Sequence, residues 1–148
     1  MLARFKNSDG LGAIFPPIVW SIVALRCLGY ADDSPEMIEC RRQLDDLIVQ
    51  DEDSESVRLQ PCKSPVWDTA ITLRALSAAG VSPIDPAMEQ GVDWLLDKQI
   101  LAPGDWSETV KAEPGGWAFE YNNDFYPDTD DTAMALMALR TQFGDDAS

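Results

Sequence analysis

Apolar residues recur at helical spacing in five stretches of this chain, and the stretches alternate between two kinds. In the first, Ile18, Val19, Ile22, Val23, Leu25 and Leu28 lie almost all round the helical wheel. That predicts a helix buried on most sides. Pro16-Pro17 opens it, because a first-turn proline lacks only an N–H that has no helical partner, and Gly29 ends it. In the second, Met37, Ile38, Leu44, Leu47 and Ile48 form one stripe against Glu36, Glu39, Arg41, Arg42, Asp45 and Asp46. This predicts a peripheral helix, with Ser34 and Pro35 as N-cap and first residue. The third, opened by Ser64-Pro65 and stopped by Gly80, is largely apolar through Val66, Trp67, Ala70, Ile71, Leu73, Leu76 and Ala79. The fourth starts at Asp85-Pro86. It turns Met88, Val92, Leu95 and Leu96 inward and Glu89, Asp93, Asp97 and Lys98 outward. The fifth runs from Asp128, or just after it, to about Phe143.

Between these stretches, Asn7-Ser8-Asp9-Gly10 is a turn signal, and Asp51 to Glu55 reads as a solvated acidic loop. Val57 to Pro61 reads as a short extended piece. Ile100 to Pro127 is long, irregular and rich in Gly, Pro and aromatics, with a small hairpin expected over 113–123. A loop of that length in a compact domain is usually functional.

The order buried, peripheral, buried, peripheral, buried is an internal repeat of helical hairpins. Trp67-Asp68-Thr69-Ala70-Ile71-Thr72-Leu73-Arg74-Ala75-Leu76 matches Asp130-Asp131-Thr132-Ala133-Met134-Ala135-Leu136-Met137-Ala138-Leu139, residue 67 standing against residue 130. A weaker match joins Leu25-Arg26-Cys27-Leu28 to Leu73-Arg74-Ala75-Leu76. The expected class is all-α: stacked helical hairpins forming part of an α/α barrel (an α–α toroid), with residues 1–148 as one partial domain. In such a stack the N-termini of the inner helices point to one end of the concave space, so Trp67 and the aspartates face the same cavity.

Composition narrows the chemistry. At 148 residues and 16.3 kDa, with 45% apolar residues, the chain is globular and is one domain or a piece of one. A net charge of −15 with no local basic cluster excludes nucleic acid as a partner and argues against broad adhesion to anionic lipid. The absence of histidine excludes Ser-His-Asp and Cys-His schemes within this chain, and most zinc sites. Cys27, Cys40 and Cys62 are scattered and odd in number, and read as reduced packing cysteines of an intracellular, cytoplasmic protein. The apolar run Leu11 to Leu28 is broken by Pro16, Pro17 and Arg26, so it reads neither as a signal peptide nor as a clean membrane span.

What remains is the segment Tyr126-Pro127-Asp128-Thr129-Asp130-Asp131-Thr132-Ala133. As a helix cap, Asp128 at the N-cap and Asp131 at N3 resemble a capping box, and acids suit the positive end of the macrodipole. That reading leaves a third acid, Asp130, unexplained. Three close carboxylates repel and burial raises their pKa values further, so at least one keeps its proton. A neutral carboxyl polarised by charged neighbours can act as a general acid. Among the aromatics, Trp20, Trp94, Trp106, Trp117, Tyr121 and Phe125 read mostly as core, with Trp94 and Trp106 bracing a helix against the loop after it. Trp67, Phe119 and Tyr126 lie near the acids by the repeat or by sequence, and aromatic faces stabilise a cation without attacking it. A proton donor among aromatic and aliphatic walls suits protonation of an alkene followed by carbocation chemistry. Asp-rich metal binding is a rival use, although these acids sit on a proline-led helix start rather than along a helix face.

Pro127-Asp128-Thr129-Asp130-Asp131-Thr132-Ala133 resembles the Asp-Xaa-Asp-Asp motif of class II terpene cyclases. Ser64-Pro65-Val66-Trp67-Asp68-Thr69 and Gly115-Gly116-Trp117-Ala118-Phe119 narrow the resemblance to the squalene–hopene cyclases. Gly91 to Gln99, followed by Pro103-Gly104-Asp105-Trp106, is similar to the repeated Gln-Trp motif of that family, in which Gln and Trp clamp helix ends together. The resemblance implies that Asp130 is the proton donor to a terminal double bond of squalene, and that Asp128 and Asp131 raise and orient it. It implies that Trp67 and Phe119 line the cavity and stabilise cations, and that Ile14 is an apolar wall residue; Tyr126 joins them as a substrate-side candidate. It further implies α/α barrels, no metal or organic cofactor, and peripheral, monotopic attachment to the membrane from which squalene enters.

The departures are specific. The family's supporting histidine and later cation-stabilising aromatics do not occur before Ser148, and Phe15 and Glu120 stand where glutamine is expected. The expectation is therefore a central fragment of a longer cyclase, inactive alone, whose open apolar helix faces favour association, a homodimer included. Two alternatives stay open: another class II cyclase acting on a diterpene diphosphate, for which a basic phosphate patch is missing, and a non-catalytic helical-repeat interaction module.

Overall fold

The computed structural model describes residues 8–10, 12–51, 56–123 and 125–143. The acidic loop expected at 51–55 and the first turn at Asn7 fall largely outside them. Among the described residues the chain is mostly helical, as the expected class requires, with one short two-stranded sheet. No helix among them is long and apolar enough to cross a membrane. Contacts divide the chain into two compact units, Met1–Lys63 and Ser64–Ser148.

The first unit holds α1 (Phe15–Cys27), α2 (Pro35–Asp45), and the antiparallel strands β1 (Ile48–Gln50) and β2 (Val57–Leu59). Ser34 caps α2 as expected, its hydroxyl accepting from the Met37 N–H at 3.4 Å. α1 and α2 pack through Leu25, Met37 and Cys40, flanked by Ile22 and Tyr30. Burial on α1 is confined to one stripe, Ile18, Ser21 and Leu25. Trp20 and Leu28 are exposed, at 68% and 72%, so the expectation of burial on most sides is not met within this unit. Ile48, expected in the α2 stripe, lies instead in β1 opposite Leu59, because α2 stops at Asp45 and the extended piece at Val57 needs a strand to pair with. Cys40 is packed in the core, whereas Cys27 is exposed, and no disulfide joins the three cysteines.

The second unit holds α3 (Pro65–Ala78), α4 (Pro86–Asp97) and α5 (Thr129–Phe143), with a 3-10 turn at Asp105–Glu108. α3 packs on both α4 and α5, through a core of Val66, Ala70, Leu73, Met88, Val92, Leu95, Trp117, Ala135, Ala138 and Leu139. The small residues Ala70, Ala135 and Ala138 are fully buried and allow α3 and α5 to approach closely. Ile71, Leu96, Leu136 and Met137 are exposed, so these helices too bury a stripe rather than their whole circumference.

α1 and α3 end in the same way. The Tyr30 N–H returns to Leu25 O and the Gly29 N–H to Arg26 O; the Val81 N–H returns to Leu76 O and the Gly80 N–H to Ser77 O. Both glycines have positive φ, 86° and 85°, the Schellman geometry that satisfies the last free carbonyls. The shared ending equates Leu25 with Leu76, three residues away from the weaker sequence match.

The expected hairpin at 113–123 does not form. Instead Trp117 makes a lone antiparallel bridge to Asp128. Several bonds fasten this loop to the end of α4. The buried Trp117 indole donates to Leu95 O at 2.6 Å, and the Gln99 side chain donates to Gly115 O at 2.7 Å. The Ile100 N–H donates to Gly116 O at 2.9 Å, and Lys98 Nζ to Tyr121 O at 3.1 Å. Trp94 braces the same loop as expected, edge-on to Tyr121 at 5.9 Å. Trp106 lies half-buried in the 3-10 turn, and its Nε1 has no partner among the described residues. Gln99 thus clamps a helix end, with the Gly115 carbonyl as its partner.

Trp117→Phe keeps an apolar ring in the core but removes the donor to Leu95 O. It should destabilise the fold by about 2 kcal/mol, from lost packing together with the lost buried bond, read as a lower denaturant midpoint at unchanged slope.

Candidate active site

The acid segment begins where the loop meets α5. Pro127 leads into Asp128, which is the N-cap: its Oδ1 accepts from the Asp131 N–H at 2.8 Å, and its carbonyl from the Thr132 N–H at 3.3 Å. Half of the expected capping box therefore forms. The other half does not, because the Asp128 N–H is already bonded to Trp117 O at 3.0 Å. The Asp131 carboxyl, the box's intended acceptor for that N–H, is left without it. Trp117 is held from its other side as well, its N–H donating to Thr132 Oγ1 at 3.0 Å. Gly116 makes this approach feasible: a Cβ there would stand 2.8 Å from Thr132 Oγ1 and 3.1 Å from Pro127 Cβ.

The consequence is electrostatic. Asp131 is only 4% exposed, and its Oδ1 has no hydrogen-bond partner among the described residues. Burial pushes its pKa up to about 8, helped by a side-chain hydrogen bond with Asp128 and by the charges of Asp128, Asp130 and Glu120. The N-terminus of α5 works in the opposite direction, but a helix dipole contributes about 0.3–1 kcal/mol, less than one pKa unit. Desolvation of a carboxylate reaches several units, so burial prevails. Near neutral pH Asp131 is a neutral carboxylic acid bonded to Asp128.

The candidate residues fall as follows. Asp128 is half-buried, Asp130 is exposed in the first turn of α5, and Asp131 is buried. Phe119, half-buried, and Tyr126, 51% exposed, belong to the loop leading into that turn. Trp67, half-buried, stands in the first turn of α3, the helix on which α5 packs. Ile14 belongs to the first unit, at the N-cap of α1, where it bridges Cys62. Among the described residues no group of three or more His, Cys, Asp and Glu side chains is arranged to hold a metal ion.

Three residues that the pattern of acids did not single out complete the centre. Thr132 ties Trp117 to α5, and Asn123 Oδ1 accepts from the Phe125 and Tyr126 N–H groups at 3.0 and 3.1 Å. Glu120, 3% exposed, accepts from Asn123 Nδ2 at 2.6 Å. Its signal in the sequence was an acid standing where glutamine was expected.

Comparison with known proteins matches residues 63–147 to the squalene–hopene cyclase C-terminal domain and residues 1–53 to the N-terminal domain of the same enzymes. The chain belongs to the squalene–hopene cyclase family. Its helices accord with a fragment of that family's α/α toroid. The chain is 44% identical to a squalene–hopene cyclase of Bradyrhizobium diazoefficiens over 92% of its own length and 21% of that protein's. It is 37% identical to that of Alicyclobacillus acidocaldarius over 95% of itself and 22% of the relative. A dammaradiene synthase of Dryopteris crassirhizoma is 37% identical over 94% of the chain and 20% of that protein. The chain thus spans about a fifth of the length of these relatives.

Because Asp131 holds a proton in the folded state that it releases on unfolding, its contribution runs against the usual carboxylate. Between pH 4 and pH 8 the native state binds the extra proton, so unfolding free energy falls as pH rises across that window. The melting temperature of the chain should decline from pH 5 to pH 9. Asp131→Asn should flatten the decline and exceed the wild type at pH 9; parallel curves would contradict the assignment.

Proposed function

We propose that this chain is the acid-bearing segment of a squalene–hopene cyclase, which protonates a terminal alkene of squalene and starts polycyclisation to a hopanoid. The observation that carries the reading is the buried Asp131 carboxyl, which keeps a proton near neutral pH beside two further acids. Interacting acids titrate as a set, so the centre as a whole retains a proton to spend. Asp131 is buried and Asp130 exposed, which suits a division of labour. Asp130 meets the alkene and donates, while Asp131 and Asp128 hold the proton store and its orientation.

In the step itself the alkene π pair forms a C–H bond with the acid proton. The O–H pair stays on the carboxylate, and the neighbouring carbon becomes a cation. Trp67, Phe119, Tyr126 and Ile14 serve as aromatic and aliphatic walls, the aromatic faces meeting the positive charge. The scheme calls on no metal or organic cofactor. Squalene is drawn from a membrane surface to which the working protein attaches peripherally on the cytoplasmic side.

Grafting this chain in place of the matched residues of the Bradyrhizobium cyclase should preserve cyclisation. Asp130→Asn in the graft should lower it by about 10²–10⁴-fold, the usual worth of a positioned general acid. Unaltered product formation by that variant would refute the donor role. The purified 148-residue chain by itself should form no cyclised product from squalene, and hopene in that assay would overturn the assignment of the chain as a segment.

A further inference from the structure

Glu120 is the second buried acid of this centre, and nothing in the alkene-protonation scheme requires it. Glu120 is 3% exposed and is placed by the loop rather than by α5. Asn123 donates to its Oε2 at 2.6 Å, a short, charge-assisted bond that fixes the amide. So fixed, the Asn123 oxygen collects the N–H groups of Phe125 and Tyr126. Those two residues lead directly into Pro127 and the N-cap Asp128. A continuous line of contacts therefore runs from Glu120 through Asn123 to the backbone that delivers the acid segment.

We infer that Glu120 is a positioning residue of the acid centre, which secures the backbone of Phe125 and Tyr126 through Asn123 and holds a fixed negative charge beside the acids. The inference rests on the reading of the centre as a proton donor. The groups around Asp131 agree with it. Asp128 and Asp130 come from the helix head and Glu120 from the loop, all of one sign, and all three push the Asp131 proton affinity up after burial itself. Of the cations on the packed elements, Arg74 of α3 reaches Met134 Sδ at 3.2 Å, and Lys98 at the end of α4 bonds Tyr121 O and lies over the Trp94 and Tyr121 rings. Glutamine at position 120 could accept the same bond from Asn123 but would supply no charge. Glutamate thus does two things where glutamine would do one.

Carboxyl carbon NMR titration of the 148-residue chain tests the charge directly. In Glu120→Gln the Asp131 midpoint should fall by about one unit, the scale of one neighbouring like charge. The Phe125 and Tyr126 amides should keep their protection from hydrogen exchange. In Glu120→Ala both effects should appear, a lower midpoint and faster exchange at Phe125 and Tyr126. An unchanged midpoint in the Gln variant, or unchanged exchange in the Ala variant, overturns the proposal. Should either variant fail to fold, the wild type decides: the Glu120 carboxyl should already be ionised below the Asp131 midpoint, and a Glu120 that stays protonated through that midpoint overturns the proposal. In the grafted cyclase Glu120→Gln should shift the alkaline limb of the kcat profile to lower pH while sparing kcat at its acid end, which a merely structural role would not do. A graft that titrates as described yet makes no product overturns the proton-donor reading and leaves Glu120 established as the organiser of the acids.

Discussion

The backbone of Trp117 decides how this site is wired. Its carbonyl takes the Asp128 N–H and its own N–H goes to Thr132, so one peptide strand is stitched to the head of α5. Its indole is at the same time bonded to the last turn of α4. The loop is therefore held between the end of one helix and the start of another, both packed on α3. A buried tryptophan brings the packing to keep such a joint closed, and its indole N–H adds a second donor to Leu95 O, which the Lys98 N–H also reaches at 3.2 Å. Gly116 beside it is the sterically permitted residue, because the joint is too tight for a Cβ.

From that wiring the acid chemistry follows. An N-terminal helical turn ordinarily offers its carboxylates free N–H groups and a favourable dipole, which lowers their pKa values. Here the N-cap N–H is consumed by Trp117, and the core closes over Asp131. A carboxylate deprived of both water and a donor protonates, and once protonated it can donate to Asp128. The neighbouring position 130 stays at the surface of the turn. Adjacent residues on one helical turn thus have different exposures, one suited to keeping a proton and one to meeting a substrate.

Much of the fold was legible because its signals are local. The Ser-Pro and Asp-Pro helix starts and the glycine stops act within a turn or two, and each was found where the pattern placed it. What was not legible depended on partners. The apolar circumference of α1 predicted burial that Trp20 and Leu28 do not have, since periodicity reports the capacity to bury a face and not which neighbour covers it. Ile48 fits a helical stripe and a strand equally well, and only Val57–Leu59, beyond the acidic loop, resolves the choice. At the site, the three aspartates and the cap at Asp128 were plain from spacing. That one acid keeps its proton was read from their crowding; that it is Asp131 was not, because its burial depends on how the core and the loop close over the turn, and contacts between distant segments leave no mark on residue type.

The alternatives that the sequence posed for the aspartates, cap or chemistry, turn out not to compete. Asp128 caps the helix and is also the partner that holds the Asp131 proton. A complete capping box would have given Asp131 a donor as well and lowered it, leaving an inert helix start. An incomplete one keeps the helix anchored through one carboxylate and strands the other in the core, where it must hold a proton. The break in the box comes from the loop, and the loop is held by Trp117, Thr132 and the Glu120–Asn123 pair. The acidity of this centre is accordingly a property of the joint between loop and helix, and a change that loosens the joint alters the acid even when every aspartate is retained.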